Sequence, residues 1–114
     1  SLKLILKNTE HFLSENAEAV MLIKPQFEAG KENVGKKGVV REKSVHIDVV
    51  KKIINVAFEN KFSVLGIDFS PVKGPEGNIE YLCYLQKTES PIINDNISAE
   101  STVEASYEKL NGKE

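Results

Sequence analysis

The sequence predicts an α/β fold, because helix-like and strand-like stretches alternate along most of the chain. The apolar run Ala19–Ile23 has no polar alternation, which is typical of a strand buried on both faces inside a parallel sheet. Apolar residues between 45 and 59 recur at helical spacing. Two further strand-like stretches, Phe62–Phe69 and Asn78–Lys87, are joined by a short loop rich in Gly and Pro, which predicts an antiparallel hairpin.

The first element is predicted to be an amphipathic helix from Leu2 to Ser14. Its apolar residues recur at helical spacing with charged residues between them. Asn16 suits a left-handed position that ends this helix. The strand that follows ends at Lys24-Pro25, since proline fixes its own φ and favours an extended residue before it.

Lys24 is the first candidate functional residue. It lies at the carboxyl end of a predicted strand, the edge where open α/β sheets bind ligands. Half buried against Met21 and Phe27, it could act as a base or as a positioning group. The alternative is a surface lysine that simply ends the strand.

The segment from Phe27 to Lys43 is long for a loop in a compact domain, and long loops are usually functional or mobile. Between Gly30 and Lys43 it carries a net charge of +3. Glycines beside lysines can bring backbone N–H groups close to phosphate, but the Walker spacing of a phosphate-binding loop is missing. A phosphate-contacting segment and a solvated lid both remain open. The candidate RNA contacts are Lys31, Lys36, Lys37 and Arg41.

A second helix is predicted from Val45 to Glu59, with Ser44 as its N-cap and Asn60 as its stop. His46 lies in the first turn of the apolar face. It is therefore interpreted as a half-buried packing residue rather than a catalytic one.

Glu80 is the second candidate functional residue, near the start of the last strand. A carboxylate between Ile79 and Tyr81 costs free energy to bury unless it has a partner. Lys24 is the candidate partner. The alternative is an exposed glutamate at a strand end.

Length and composition fit one small domain or part of a larger one. The chain has 114 residues, of which 40% are hydrophobic and 28% charged. No apolar run is long enough to span a membrane, no secretory signal is visible, and Cys83 is expected to be a core residue. These features predict a reducing, cytoplasmic setting.

The charge distribution divides the chain into residues 1–87 and residues 88–114. The first part has a net charge of +2 and the second a net charge of −4. The second part is interpreted as an acidic tail that forms a linker, a disordered segment or a weak helix from Ser98 to Leu110.

Two long sequence blocks resemble a known family. They are IKPQFEAGKENVGKKGVVR, from Ile23 to Arg41, and SPVKGPEGNIEYL, from Ser70 to Leu82. With the helix that opens at Ser44, they are similar to the C-terminal half of the TlyA, or hemolysin A, family of FtsJ-like ribosomal RNA methyltransferases. The resemblance covers residues 1 to about 87.

The resemblance implies half of a Rossmann-like sheet whose last strand is antiparallel and inserts between its two predecessors. It also implies ribose 2′-O-methylation of ribosomal RNA, with S-adenosylmethionine as methyl donor. The family uses a Lys-Asp-Lys-Glu set, in which the second lysine matches Lys24 and the glutamate matches Glu80. Lys24 would orient the ribose hydroxyl and accept its proton, and Glu80 would hold neighbouring donors. The basic segment, residues 30–43, would lie against RNA phosphates.

The other members of that catalytic set, the glycine-rich cofactor turn and the small RNA-binding domain of TlyA proteins have no match in these residues. The resemblance therefore implies that this chain alone is inactive and holds no cofactor-binding residue. A non-catalytic RNA-binding or interaction module is the alternative. A membrane activity is disfavoured, because the apolar side of the helix from Val45 to Glu59 is needed for the core. The strand Ala19–Ile23 would be an exposed apolar edge, which predicts a homodimer across it.

Overall fold

The computed structural model describes residues 2–9 and 13–111. Within these ranges it contains helices packed on a three-stranded sheet. The elements in chain order are α1 (Leu2–Thr9), β1 (Glu18–Ile23), α2 (Pro25–Glu28), α3 (Lys43–Glu59), β2 (Phe62–Phe69), β3 (Tyr81–Lys87) and α4 (Ala99–Leu110).

The sheet has the strand order β1-β3-β2, and β3 is antiparallel to both neighbours. The predicted hairpin of β2 and β3 is confirmed, as is the insertion of the last strand between its two predecessors. The predicted parallel surroundings of β1 are wrong, because the inserted β3 is the strand that pairs with β1. The fold is thus a mixed α/β domain on an antiparallel three-stranded sheet.

The prediction that β1 is buried on both faces is also wrong. Val20 is 61% exposed and Leu22 is 39% exposed, and β1 alternates between covered and open positions. The reason is that β1 lies at the edge of the sheet and the helices build a single core. The face of the sheet that carries Val20, Leu22 and Tyr84 stays open.

The core lies between the covered face of the sheet and the helices α1, α3 and α4. Helix α3 contributes more buried residues to it than any other element, through an apolar face that the helical spacing predicted. The strands contribute alternate residues, such as Ile23, Cys83 and Leu85. This packing fixes the strand ends that carry the candidate functional residues.

The two outer edges of the sheet differ. Ile93 forms an isolated parallel bridge with Val64 of β2, and the N–H of Val64 donates to the carbonyl of Ile92 at 2.9 Å. The N–H of Asn94 returns a hydrogen bond to Val64 at 3.1 Å. In the described part of the chain, β1 pairs with β3 alone and its outer edge remains open.

Several element boundaries differ from the predictions. Helix α1 is described only to Thr9, Ser14 is not helical, and residues 10–12 of the predicted helix lie outside the described residues. Asn16 is left-handed, with φ 69°, but its N–H pairs with Lys87 at 2.8 Å and begins the sheet instead of ending a helix.

Ser44 is not the N-cap of α3, because the helix begins at Lys43 with Glu42 in the cap position. The N–H groups of Val45 and His46 already donate to the carbonyl of Glu42, so helical hydrogen bonding starts before a Ser44 cap could act. Asn60 occupies the C-cap position, as the sequence predicted.

Residues 99–110 form an ordered helix. The Ser98 hydroxyl accepts a hydrogen bond from the N–H of Ser101 at 3.1 Å, which is the usual N-cap contact. Val103 is completely buried against the core. The helix also carries ion pairs to α3, between Lys43 and Glu104 and between Lys51 and Glu100, which contribute little because they are exposed. Across the described residues, no helix is long and apolar enough to cross a membrane.

Candidate functional site

The site begins where β1 ends, at the segment Lys24–Glu28. Lys24 has φ −115° and ψ 98°, which confirms the extended conformation predicted before a proline. Pro25 is buried and occupies the first position of the short helix α2, where its missing N–H costs no hydrogen bond. The segment therefore turns sharply at the end of β1 and leaves Lys24 half-buried there.

The register of the sheet places Lys24 and Glu80 at neighbouring positions. Ile23 is the partner of Tyr81 in the sheet. The residue that follows β1 and the residue that precedes β3 therefore lie at the same end of the sheet. The N–H of Ser70, at the end of β2, donates to the carbonyl of Glu80 at 2.8 Å. Glu80 thus lies at the end of the sheet where β1 and β2 end and β3 begins.

Glu80 is buried, only 6% exposed, so the alternative of an exposed glutamate is wrong. Its carboxylate accepts a hydrogen bond from the side-chain amide of Gln26 at 2.9 Å. The expected ion pair is not formed, since no salt bridge joins Lys24 and Glu80 among the described residues. An amide is the better fit in this position because Gln26 lies on α2, which turns toward β3, whereas the ammonium of Lys24 lies over Phe27.

A tight turn closes over the Glu80 carboxylate. The N–H of Gly74 donates to the carbonyl of Asn78 at 2.7 Å, and the N–H of Gly77 donates to Gly74 at 3.1 Å. A Cβ atom added at Gly74 would overlap the Glu80 carboxylate. Glycine is therefore required here for close approach, and the motif that precedes β3 shields the acid from solvent.

Lys24 and Phe27 form a second pair at this edge. The Nζ atom of Lys24 lies 5.8 Å from the centre of the Phe27 ring, within the range of a cation–π contact. Phe27 itself is 69% exposed. Lys24 is half-buried beside Phe27, as the sequence indicated, and the other parts of the ring project into solvent.

The last residue of this segment has a structural function. The carboxylate of Glu28 accepts a hydrogen bond from the N–H of Leu2 at 3.1 Å, at the start of α1. A negative charge at this helix end is favourable, because it complements the unpaired N–H groups and the helix dipole.

The basic segment that follows α2 is folded rather than structureless. Two 3-10 turns occupy Lys31–Asn33 and Lys36–Gly38, and Lys37 is left-handed with φ 62°. The four candidate RNA contacts are all exposed: Lys31, Lys36, Lys37 and Arg41. Their charges are therefore available to an anionic partner.

Asn78 fastens this basic segment to the turn above Glu80. The Asn78 side chain is 2% exposed and accepts a hydrogen bond from the N–H of Val40 at 3.2 Å. Its amide donates to the carbonyls of Gly38 at 3.0 Å and Pro75 at 2.9 Å. The basic segment and the Glu80 turn consequently form one connected surface.

A buried hydrogen-bond chain supports the same segment from below. His46 contacts the carbonyl of Val40 through Nε2 at 2.8 Å and the hydroxyl of Tyr81 through Nδ1 at 2.9 Å. The Tyr81 hydroxyl lies 3.1 Å from that of Ser106 in α4, and Tyr107 donates to the carbonyl of Arg41 at 2.8 Å.

Burial lowers the pKa of His46, which is 1% exposed, and raises that of Tyr81. Both groups are therefore neutral in the folded protein near pH 7. His46 is fully buried rather than half-buried, and both of its ring nitrogens are used in internal hydrogen bonds. Cys83 is likewise a core residue, and burial raises the pKa of its thiol to about 12.

The comparison with family models decides the family. A model described as FtsJ-like methyltransferase matches residues 3–87 of this chain. The chain belongs to the FtsJ-like methyltransferase family. The match includes β1, the basic segment and β3, and it ends at the last residue of β3.

Relatives with assigned names agree with this membership. The chain is 46% identical over 85 residues to "Putative rRNA methyltransferase YqxC" of Bacillus subtilis, which is 75% of this chain and 30% of that protein. It is 40% identical over 73 residues to the 16S/23S rRNA (cytidine-2′-O)-methyltransferase TlyA of Mycobacterium tuberculosis, covering 64% of this chain and 27% of TlyA. Hemolysin A of Brachyspira hyodysenteriae is 38% identical over 65 residues, covering 57% of this chain and 27% of hemolysin A.

Solved structures of similar proteins have the same fold. A "putative hemolysin" from Streptococcus thermophilus is 41% identical with a TM-score of 0.92, covering 99% of this chain and 41% of that one. A second, from Lactococcus lactis, is 42% identical with a TM-score of 0.88, covering 92% of this chain and 50% of that one. The chain thus spans half the length or less of each protein that it matches here.

Sequence reasoning missed the side chains that organise the site. Gln26 and Asn78 lie inside the two blocks that carry the family resemblance, yet their hydrogen bonds depend on the register of β1 against β3. Tyr107 and Ser106 lie beyond these blocks, in the helix formed by the acidic tail. The contact of Tyr107 with Arg41 depends on how this helix packs against α3 and β2, which local sequence patterns do not show.

Proposed function

We propose that the protein acts in S-adenosylmethionine-dependent ribose 2′-O-methylation of ribosomal RNA. One observation carries the proposal: Lys24 and Glu80, 56 positions apart in the sequence, occupy neighbouring positions at one edge of the sheet. Family membership and the similarity to TlyA, a 16S/23S rRNA (cytidine-2′-O)-methyltransferase, support the same reaction class. Ribosomal RNA as the substrate would also place the protein in the cytoplasm.

Lys24 is proposed to position the ribose hydroxyl and to accept its proton. During the transfer a bond forms between the 2′-oxygen and the methyl carbon, the carbon–sulfur bond of the sulfonium donor breaks, and the hydroxyl proton passes to the amine. A lysine accepts a proton only when its amine is neutral. Lys24 is half-buried at the edge, with Phe27 beside its ammonium group.

Glu80 is proposed to organise donors around the reacting ribose. Its carboxylate is buried and one of its oxygen atoms is held by Gln26. An ionised carboxylate has about four acceptor positions, so it can accept further hydrogen bonds from neighbouring donor groups. The turn at Gly74 fixes its position, which favours a positioning role over proton transfer.

The basic segment is proposed to bind the RNA backbone. Lys31, Lys36, Lys37 and Arg41 are exposed on a segment that Asn78 joins to the Glu80 turn. Contacts of this kind release counterions from RNA, so affinity should fall as salt rises. The solvated-lid alternative predicts no such salt dependence.

S-adenosylmethionine would supply the methyl group. The described residues do not form a site for it by themselves, because β1 leads into Lys24-Pro25 rather than into a glycine-rich turn. The 114-residue chain alone is accordingly proposed to be inactive. The cofactor turn would come from sequence that the relatives have and this chain does not cover.

The test is a methyl-transfer assay with a longer protein. This protein contains the present sequence and is as long as its relatives. Labelled methyl from S-adenosylmethionine is counted in ribosomal RNA for the parent, Lys24→Ala and Lys24→Arg. We expect both variants to lose at least about 100-fold in rate, the scale of a lost proton acceptor. Lys52→Ala, an exposed lysine of α3, is the matched control and should retain the parent rate.

Retained transfer in Lys24→Ala would remove Lys24 from the proposed role. Transfer by the 114-residue chain alone would contradict its proposed inactivity. RNA binding without any transfer by the longer protein would favour the alternative, a non-catalytic RNA-binding or interaction module with this fold.

We also propose a homodimer through the open edge of β1, residues Ala19–Ile23. An unpaired strand edge with exposed apolar side chains is a template for pairing with a second copy. Val20 and Leu22 supply that apolar surface.

A further inference from the structure

We infer that the exposed ring of Phe27 is a stacking platform for an unpaired nucleobase of the RNA substrate. The inference rests on the proposed function and adds to it a base-binding residue beside the ribose-binding lysine. The nucleobase on Phe27 would belong to, or adjoin, the nucleotide whose ribose meets Lys24.

The aromatic ring of Phe27 is largely exposed. Its side chain is 69% exposed, compared with 41% for Phe58 and 40% for Tyr84. Burying an aromatic ring is favourable, so an open ring on a folded protein is a suitable surface for a flat apolar partner.

The backbone that carries the Phe27 ring is anchored. The N–H of Phe27 donates to the carbonyl of Lys24 at 2.9 Å. The flanking side chains are fixed in other directions: Pro25 is buried, Gln26 binds Glu80 and Glu28 binds the start of α1. Because its neighbours are held, Phe27 presents its ring at a defined place, which lowers the entropic cost of binding.

The surface formed by Phe27, Lys24 and Lys31 matches the parts of a nucleotide. Lys24 lies 5.8 Å from the ring centre, so a base on the ring carries its ribose toward that lysine. A shallow depression of about 460 Å³ continues from the ring and includes Lys31, which offers a cation to a phosphate. Phe27, Lys24 and Lys31 thus face the base, the ribose and the phosphate in turn.

The same surroundings argue against an apolar protein surface as the partner. The depression is lined by two polar side chains, Gln26 and Lys31, together with Gly30, Val34 and Phe27. Unpaired RNA bases commonly stack on aromatic side chains that stand among cations, and such stacking tolerates any base.

The experiment measures binding of this chain to a short single-stranded RNA at two salt concentrations. A second RNA is identical except for one abasic position at its centre, and a third carries the fluorescent base 2-aminopurine there. The variants are Phe27→Leu, which removes the ring, and Phe27→Trp, which restores an aromatic face. Phe58→Leu, the same change at an exposed position on α3, is the matched control.

We expect Phe27→Leu to weaken binding of the intact RNA by about 5- to 150-fold, the effect of losing one stacked base. The parent should bind the abasic RNA as weakly as Phe27→Leu binds either RNA. Phe27→Trp should bind the intact RNA as the parent does, and Phe58→Leu should change nothing. 2-Aminopurine fluorescence should be quenched by the parent and not by Phe27→Leu.

Salt-dependent binding that ignores both the abasic position and the Phe27→Leu change would overturn the inference. It would leave the basic segment as an RNA contact and the proposed transfer intact. No binding of any of these RNAs would overturn the inference as well. The transfer assay with Lys24 variants remains a separate test of the proposed function.

Discussion

The Glu80 carboxylate is buried beside an amide rather than beside a cation. Gln26 donates one hydrogen bond to it, and the turn at Gly74 closes over it. Burying a carboxylate costs several kcal/mol unless it is well bonded, so Gln26 offsets only part of that cost. In the proposed reaction the remaining acceptor positions of Glu80 hold neighbouring donor groups in place.

His46 provides a prediction of pH dependence at the same scale. Burial lowers the pKa of its imidazole, whereas in the unfolded chain histidine titrates near pH 6.5. Below that pH the unfolded chain binds more protons than the folded one, so the free energy of unfolding decreases as the pH falls. The contribution is complete above about pH 6.5 and is lost progressively toward the lower pKa of the folded state.

Urea unfolding at pH 7.5 and pH 5.5 measures this contribution. We expect the parent to lose more stability between the two pH values than His46→Gln, whose amide does not titrate. The carboxylates and the second histidine are common to both proteins and cancel in the comparison. Equal losses in the two proteins would mean that His46 is not the titrating group.

At the scale of elements, α4 is the least expected part of the fold. It lies beyond the residues that the family model matches, yet Val103 is fully buried and Tyr107 bonds the backbone of Arg41. The helix therefore supports the basic segment as well as the core. Its contribution is independent of the candidate catalytic residues.

Truncation of one α4 side chain tests this support. Val103→Ala should lower the free energy of unfolding by about 2 kcal/mol, since it removes buried methyl groups and leaves a cavity. Val72→Ala is the matched control, because Val72 is 72% exposed and should change stability by less than about 0.5 kcal/mol. Denaturant unfolding gives both values. Equal effects at the two positions would show that α4 does not stabilise the core.

The elements also show where sequence reasoning succeeds. Strand β2 and the hairpin follow from local patterns, because apolar runs and turn residues act over a few positions. The burial of β1 does not follow, since it depends on which strand becomes its neighbour. Lys24 and Glu80 could be selected from their blocks, but the link from Glu80 to Gln26 depends on strand register.

At the scale of the whole molecule, the open edge of β1 predicts self-association. Sedimentation analysis should find dimers of the chain that Val20→Lys disrupts, because a charge on an edge strand opposes pairing with a second copy. Val72→Lys adds the same charge at an exposed position outside the sheet and should leave the dimer unchanged. A parent that sediments only as a monomer would contradict the proposed dimer.

The proposed methyl transfer to a ribose hydroxyl depends on Lys24, at the end of the sheet where β1 ends and β3 begins. The most direct measurement is mass spectrometry of nucleosides from ribosomal RNA. The RNA is first treated with S-adenosylmethionine and a protein that contains this sequence and is as long as its relatives. We predict a 2′-O-methylated nucleoside with the parent and none with Lys24→Ala. A methyl group on a base, or equal 2′-O-methylation by Lys24→Ala, would contradict the account.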